Sequence, residues 1–370
     1  MRIGGFYKLY EADEPVDINK KLVGTVKDSD TVTKKKIANL VSDDSVKDSI
    51  LTSLEKTCNF SKAAATYLYK LIMDGDNDLT KFSEYLKDRT IDASQHMGEI
   101  KNFKIFNETT GINDPDTLKE LMDVSFKKSP SEGPGENYMS IIFKDANRPR
   151  KHGDLEIGGQ AVELKGVGAR LQGQKGYGDA KEMRTALSKA CVKVAEKVGI
   201  KNYEVEDTGD VNYWNIGPNN KGGGLAINFK KIAAAKPKEF GKTAMLNDAC
   251  AEISNAWATV FKDVATKVPG YTAYFDGVVG KDGSIDTKKY DRALLCLSYT
   301  YYLSIENFNY FCAVHNGASK QPARAGNFLL IPSDVETFMK YYDKGDIIVK
   351  TRPSFTNDAG SQGGAIAISI

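Results

Sequence analysis

The sequence predicts a mixed α/β (α+β) fold, with a central mixed sheet flanked by helices and a helical N-terminal domain. Apolar residues recur at helical spacing between residues 31 and 87, whereas strand-like and helix-like segments alternate in the second half of the chain. The chain of 370 residues is also longer than one small core requires. We therefore expect two domains.

Residues 1–128 are predicted to form the helical N-terminal domain. Apolar side chains fall on one helical face around Ile37, Ile50 and Tyr67, and the aspartates and serines between these stretches can cap helices. The segment SPSEGPGE at 129–136 is rich in proline, glycine and serine, which is typical of a hinge. We place the boundary there, so that residues 129–370 form the second domain.

The second domain is predicted to contain a hairpin followed by strands and helices in alternation. Alternating apolar runs flank Gly158-Gly159 in KHGDLEIGGQAVELKG, residues 151–166, as in a β-hairpin. A short helix precedes it at 136–145, and an amphipathic helix follows at 179–198. The remaining predicted elements are strands at 203–216 and 225–232, helices at 243–268 and 288–304, strands at 310–315 and 328–331, a helix at 335–342, and strands at 347–350 and 365–370.

Composition excludes several classes of protein. No apolar run reaches the ~18 residues that a membrane helix needs, and the N-terminus has no apolar signal core. Five scattered cysteines favour reduced thiols over a disulfide framework. We therefore expect a cytoplasmic protein with no membrane partner. The formal net charge of +2 means that a nucleic-acid-binding surface would have to be local.

The hairpin brings charged side chains together. Glu163 and Lys165 are two residues apart in a strand, so they point to the same face. The turn folds Asp154 back to about the level of Glu163. Carboxylates, waters and phosphate oxygens are the ligands of hard cations such as Mg²⁺. This pattern predicts metal-assisted hydrolysis of a phosphodiester, with the lysine offsetting charge in the transition state.

The pattern resembles the motif of the PD-(D/E)XK nuclease superfamily, whose fold is restriction-endonuclease-like. Gly153-Asp154 corresponds to the "PD" element, with glycine in place of proline, and Glu163-Leu164-Lys165 corresponds to "(D/E)XK". The resemblance implies that Asp154, Glu163 and the backbone carbonyl of Leu164 bind Mg²⁺, with Mn²⁺ as an alternative. It also implies that Lys165 positions the nucleophilic water.

The same resemblance implies a wider framework around the motif. Its core would consist of a helix, a strand meander that carries the motif, a second helix and a further strand. It would also include a carboxylate on the helix before the hairpin, and Glu136 in GPGENYMSII is placed for that role. Glu136 is thus the fourth predicted catalytic residue, beside Asp154, Glu163 and Lys165.

The motif is short and other segments match its letters. Glu99-Ile-Lys101 follows Asp92, but no turn separates the acids. Asp286-Thr-Lys288 lies in a glycine-broken loop, and Asp179-Ala-Lys181 begins a helix, so neither supplies a strand edge. We favour the hairpin, and a purely structural role for its charges is the alternative.

Basic residues bracket the hairpin and predict a surface that faces DNA, because lysine and arginine make most phosphate contacts. Lys189, Lys193 and Lys197 share one helical stripe opposite the apolar face, although a solvated helix face would have the same pattern. The predicted DNA-binding residues are Arg148, Arg150, Lys151, Arg170, Lys175, Lys189 and Lys193.

These observations together predict a Mg²⁺-dependent DNA endonuclease that acts on double-stranded DNA. It would serve restriction or phage DNA processing in a bacterial cell, encoded by the cell or by a phage. A homodimer would fit double-strand cutting of a symmetric site. The alternative is a phage structural or DNA-binding protein without catalytic activity.

Overall fold

The chain folds into two compact units with mixed α+β structure. The structure is a computed structural model that describes residues 44–124, 126, 135–148, 153–166, 170–171, 180–214, 222–261, 271–315, 324–351 and 366–370. Within that part of the chain, the first unit comprises residues 44–93 and 103–148, and the second comprises residues 94–102 and those from 153 onwards. The sequence predicts a domain boundary at residue 129, whereas this division falls after residue 148.

Helices are the main elements of both units. Those of the first unit are α1 (Asp44–Lys56), α2 (Lys62–Asp74), α3 (Leu79–Lys87), α4 (Asn107–Thr110), α5 (Pro115–Asp123) and α6 (Glu136–Ile142). Those of the second unit are α7 (Ala180–Lys197), α8 (Gly223–Ala235), α9 (Pro237–Phe240), α10 (Thr243–Val260), α11 (Thr287–Glu306) and α12 (Val335–Lys344). The strands are, in chain order, β1 (Lys101–Asn102), β2 (Ala146–Asn147), β3 (Leu155–Ile157), β4 (Gln160–Gly166), β5 (Arg170–Leu171), β6 (Tyr310–Val314), β7 (Asn327–Pro332), β8 (Ile348–Thr351) and β9 (Ile366–Ser369).

The helices of the first unit pack around an apolar core that contains one buried arginine. Side-chain oxygens of Ser61, Asp78 and Asp114 cap the N-termini of α2, α3 and α5, as their residue types favour. Arg89 is only 8% exposed, and its guanidinium donates to the backbone oxygens of Ser140 and Ala146 at 2.7 Å each. These bonds satisfy a charge that would otherwise be costly to bury.

A mixed sheet forms the centre of the second unit. Strands β1, β7, β6, β4 and β3 lie side by side in that order. β3 and β4 are antiparallel, β4 and β6 are parallel with Glu163 opposite Phe311, and β6 and β7 are antiparallel. The backbone of β5, β9 and β8 forms a second, antiparallel sheet.

Helix α11 lies on the face of the sheet that carries Glu163 and Phe311. The Tyr299 ring contacts Phe311 edge to face at 5.7 Å and stacks on Phe338 of α12 at 3.7 Å. The Tyr299 hydroxyl donates to the backbone oxygen of Ser333 at 2.8 Å. This anchoring places the last turn of α11 over the strand that carries the hairpin motif.

The mixed α+β class predicted from the sequence is confirmed, but two predicted strands are wrong. Residues 225–232 belong to α8, in which Leu225, Phe229 and Ile232 are buried at helical spacing. Residues 203–214 form no strand. Instead, Asn228 of α8 binds this segment, accepting from the backbone N–H of Glu206 at 2.8 Å and donating to its backbone oxygen at 3.0 Å. The Asn228 side chain thus satisfies the backbone N–H and C=O of Glu206, which a neighbouring strand would pair with in a sheet.

Candidate active site

The predicted hairpin is present and has a tight turn. Leu155 pairs with Val162 and Ile157 with Gln160, which leaves Gly158 and Gly159 as the two turn residues. Their φ angles are 56° and 76°. Two positive φ angles define a type I′ turn, which glycine adopts without strain and which matches the twist of the strands.

Asp154 lies just before β3, level with Glu163. Its backbone N–H donates to the Val162 oxygen at 3.1 Å, and its Oδ2 accepts from the backbone N–H of Leu164 at 2.9 Å. Continuing the strand register by one residue also places Asp154 opposite Glu163. Because the N–H and C=O of a strand residue point to the same side, the Leu164 carbonyl faces the Asp154 side of β4. Asp154 and the Leu164 carbonyl therefore both lie on the β3 side of β4, at the level of Glu163.

Glu163 is buried and its carboxylate is held by two donors. The residue is 6% exposed. Oε1 accepts from Lys165 Nζ at 2.5 Å and also from the hydroxyl of Tyr302 in α11. Lys165 Nζ in turn lies 5.3 Å from the centre of the Tyr302 ring, a cation–π distance. Glu163, Lys165 and Tyr302 thus form a closed cluster on the covered face of the sheet.

Burial and the charges of neighbouring groups determine the protonation states of Lys165 and Tyr302. Burial lowers the pKa of Lys165, but the carboxylates of Glu163, Asp154 and Glu306 raise it, and the net shift is upward. Lys165 is therefore a cation at neutral pH and acts as a charge and donor rather than as a base. Burial, and then Glu163, raise the pKa of Tyr302 far above its usual range, so that its hydroxyl stays protonated.

Tyr302 and Glu306 are site residues that sequence analysis missed. They lie one helical turn apart in the last turn of α11. Burial raises the pKa of Glu306, and Glu163 raises it further, whereas Lys165 lowers it. Their i, i+4 spacing puts both on one helix face, but no local signal relates that face to a hairpin 139 residues earlier.

Gly153 marks a departure from the superfamily motif. Its φ is +78°, and a Cβ at this position would lie 3.2 Å from the Val162 backbone oxygen. Proline holds φ near −65°, so the proline of the "PD" element could not replace this glycine without a change of backbone. The backbone before Asp154 therefore favours glycine over proline at position 153.

Glu136 and Arg148 lie in the first unit, whereas Asp154, Glu163 and Lys165 lie in the second. Glu136 begins α6 and is 2% exposed. The Arg148 guanidinium lies over the Phe60 ring at 5.4 Å, and burial lowers its pKa. The predicted roles of both residues stay predictions.

The basic stripe of α7 is partly paired with acids of α10. Lys189, Lys193 and Lys197 are all exposed, opposite the buried face, as predicted. Lys193 and Lys197, however, bind Glu252 at 3.1 and 3.3 Å, and Lys197 also lies 3.6 Å from Asp248. Part of the positive charge is therefore neutralised within the protein.

Four of the predicted DNA-binding side chains are not among those that the structure describes. Arg150, Lys151 and Lys175 lie outside the described residues, and for Arg170 only the backbone in β5 is described.

The candidate donors suit a hard cation held largely by its substrate and water. Within the residues that the structure describes, no three or more His, Cys, Asp or Glu side chains are grouped to hold a metal ion. A Mg²⁺ ion that also binds waters and phosphate needs only one or two carboxylates. Asp154, Glu163 and the Leu164 carbonyl, which are all oxygen donors, fit that requirement.

Comparisons with known proteins gave no relative. The chain matches no protein-family model, no curated protein and no solved structure. In the described part of the chain, no helix has the length and apolar character needed to cross a membrane.

Proposed function

We propose that this protein is a metal-dependent DNA endonuclease that hydrolyses phosphodiester bonds at the hairpin site. The observation that carries the proposal is that Asp154 binds the Leu164 N–H at the level of Glu163, whose carboxylate accepts a hydrogen bond from Lys165. These are the donor types and the cation that phosphodiester hydrolysis needs.

The order of elements after the motif also supports a restriction-endonuclease-like fold, which is part of this proposal. The hairpin is followed by helix α7 and, later, by β6, which pairs in parallel with β4. The resemblance to the PD-(D/E)XK superfamily implies a motif-bearing meander, then a helix and a further strand.

The residues divide the chemistry between them. Asp154, Glu163 and the Leu164 carbonyl would hold Mg²⁺ or Mn²⁺, which lowers the pKa of a bound water and offsets charge on the scissile phosphate. Lys165 contributes a cation, kept protonated by its carboxylate neighbours, that orients the attacking water and stabilises negative charge in the transition state. Attack in line would release the 3′ oxygen as the leaving group.

Substrate contacts belong to the same proposal. Double-stranded DNA would lie across exposed lysines such as Lys189 of α7, and cutting of both strands would suit a homodimer.

The test is a cleavage assay on supercoiled plasmid and linear DNA with Mg²⁺ or Mn²⁺. Glu163→Gln and Lys165→Met should each lower the cleavage rate roughly 10²–10³-fold, because the first removes a charged metal ligand and the second removes the cation that acts on the reacting phosphate. Glu156→Gln is the matched control: Glu156 lies on the adjacent strand, opposite Ala161. Glu156 is half-buried and has no part in the proposed chemistry, so this variant should cut within about twofold of wild type and show the effect of losing a nearby carboxylate charge alone.

Two results would argue against the proposal. One is wild-type protein that never cuts DNA with either metal. The other is Glu163→Gln and Lys165→Met proteins that cut as fast as Glu156→Gln. Wild type that binds DNA without cutting it would favour a structural or DNA-binding phage protein.

A further inference from the structure

The cluster around Glu163 contains a tyrosine that the proposed chemistry does not use. Tyr302 is 2% exposed, comes from a helix rather than from the hairpin, and donates its hydroxyl hydrogen bond to Glu163 Oε1. The same oxygen accepts from Lys165 Nζ. Glu163 Oε2 takes part in neither bond.

Two donors on one oxygen restrict the carboxylate. A glutamate has three rotatable side-chain bonds, and a lysine alone is a flexible partner. The Tyr302 side chain has only two, and its helix is packed on the sheet through the Tyr299 ring, which contacts Phe311 and Phe338. The tyrosine therefore supplies the rigid part of the restraint.

We propose that Tyr302 is a positioning residue of the nuclease site, which holds Glu163 by Oε1 so that Oε2 binds the metal. This inference rests on the proposed function. In metal sites, partners that orient a ligand are worth a large share of the affinity, and their loss costs about 10- to 100-fold in metal binding.

The geometry also explains why a tyrosine serves here. Its hydroxyl donates to a carboxylate without adding a charge that would compete with the metal, and its ring lies beside the Lys165 ammonium. Phenylalanine would keep the ring and lose the donor. Tyr302→Phe is accordingly a conservative variant that should fold.

The experiment measures Mn²⁺ binding to the full chain by electron paramagnetic resonance, without DNA, and the Mn²⁺ dependence of plasmid cleavage. Tyr302→Phe should raise the dissociation constant for Mn²⁺ about 10- to 100-fold. Excess Mn²⁺ should restore most of its cleavage rate. The matched control is Tyr299→Phe, which removes another buried hydroxyl bond from the same helix but one that ends on Ser333. It should bind Mn²⁺ like wild type and lose similar thermal stability.

The outcomes separate the two proposals. If wild type binds Mn²⁺ and cuts DNA, and Tyr302→Phe does both equally well, the positioning role is wrong and the nuclease assignment stands. If Tyr299→Phe weakens Mn²⁺ binding as much as Tyr302→Phe does, the effect is general packing and the positioning role is again wrong. If wild type neither binds Mn²⁺ nor cuts DNA, both proposals fall.

Discussion

Asp154 has two separable roles at the hairpin. Its carboxylate supplies negative charge, and its Oδ2 also accepts the backbone N–H of Leu164, a residue that is 2% exposed. The first role belongs to the proposed chemistry and the second to the fold. A carboxamide can accept the same bond without the charge, which allows the roles to be tested one at a time.

We expect Asp154→Asn and Asp154→Ala both to lose DNA cleavage but to differ in stability. Asn keeps an acceptor for the Leu164 N–H, so its free energy of unfolding should stay close to that of wild type. Ala leaves that buried donor unpaired, which costs about 1–3 kcal/mol. Urea unfolding of the two variants measures the difference. Equal stabilities would mean that the bond to Leu164 contributes nothing.

Gly153 gives a second prediction at the residue scale. Gly153→Ala places a side chain at φ +78° and brings Cβ to 3.2 Å from the Val162 oxygen. The left-handed conformation alone costs roughly 1–2 kcal/mol. Because Gly153 adjoins Asp154, we expect both stability and cleavage to fall. Thermal unfolding and plasmid cleavage are the measurements.

Gly199→Ala is the matched control for that prediction. Gly199 has φ +87°, and no atom of the described residues lies within 4 Å of the position that an alanine Cβ would take. It follows the C-terminal end of α7 and is more than 30 residues from the motif in sequence. It should lose similar stability and keep its cleavage rate. Loss of cleavage in both variants would show that general destabilisation is the cause.

The sequence was sufficient to bring Asp154, Glu163 and Lys165 together, because hairpin register and side-chain alternation are local rules. It was not sufficient for Tyr302, which reaches Glu163 from a helix 139 residues later. Nor could it reveal the positive φ of Gly153, since glycine tolerates nearly every backbone conformation.

At the scale of elements, α7 and α10 are linked by ion pairs on an exposed face. Glu252 is only 12% exposed at its side chain and binds both Lys193 and Lys197. Because both lysine partners are exposed, solvent screens these pairs and their contribution to stability is small. Their effect on the potential that DNA would meet is larger, because one acid partly neutralises two cations.

We therefore expect Glu252→Gln to strengthen DNA binding if this face contacts DNA. The two lysines would become available to phosphates, and each additional phosphate contact steepens the plot of log affinity against log salt by about 0.9. Fluorescence anisotropy at several salt concentrations measures both the affinity and the slope. Unchanged values would place the DNA surface elsewhere.

Helices and strands were predicted correctly where the spacing of apolar residues was clear. The predictions failed where tertiary contacts determined the secondary structure. The helices α7 and α11 and the strands β6 and β7 follow their apolar patterns closely. Residues 225–232 contain isoleucine and phenylalanine, which favour strands, but their buried positions repeat at helical spacing. The conformation of the segment at 203–214 depends on hydrogen bonds to Asn228. No local sequence pattern predicts that this side chain takes the place of a neighbouring strand.

At the scale of the whole molecule, both units contain buried cysteines, so the reactivity of the thiols can be used to follow the unfolding of each unit. All five are free and buried, with Cys58 in the first unit and the other four in the second. Burial raises the pKa of Cys58 to about 11, with Arg89 opposing the shift, and burial likewise raises that of Cys296 to about 11. Their thiolate populations at pH 8 are therefore small.

We predict that iodoacetamide at pH 8 leaves the native protein unmodified for minutes and labels all five cysteines in urea. Mass spectrometry at increasing urea concentrations would show whether Cys58 becomes reactive at the same concentration as the four cysteines of the second unit. Separate midpoints are expected if the two units unfold independently. Rapid labelling of any cysteine in the native state would contradict the burial of these thiols.

The parallel pairing of β4 with β6 has a consequence for how the protein is made. The hydrogen bond from Ala161 to Asn309 beside this pair joins residues 148 apart. Ribosomes add 5–20 residues per second, so β4 is synthesised roughly 7 to 30 s before its neighbour β6. During that interval the edge of β4 that later pairs with β6 is open, and Glu163 is covered only after α11 and β6 have been synthesised.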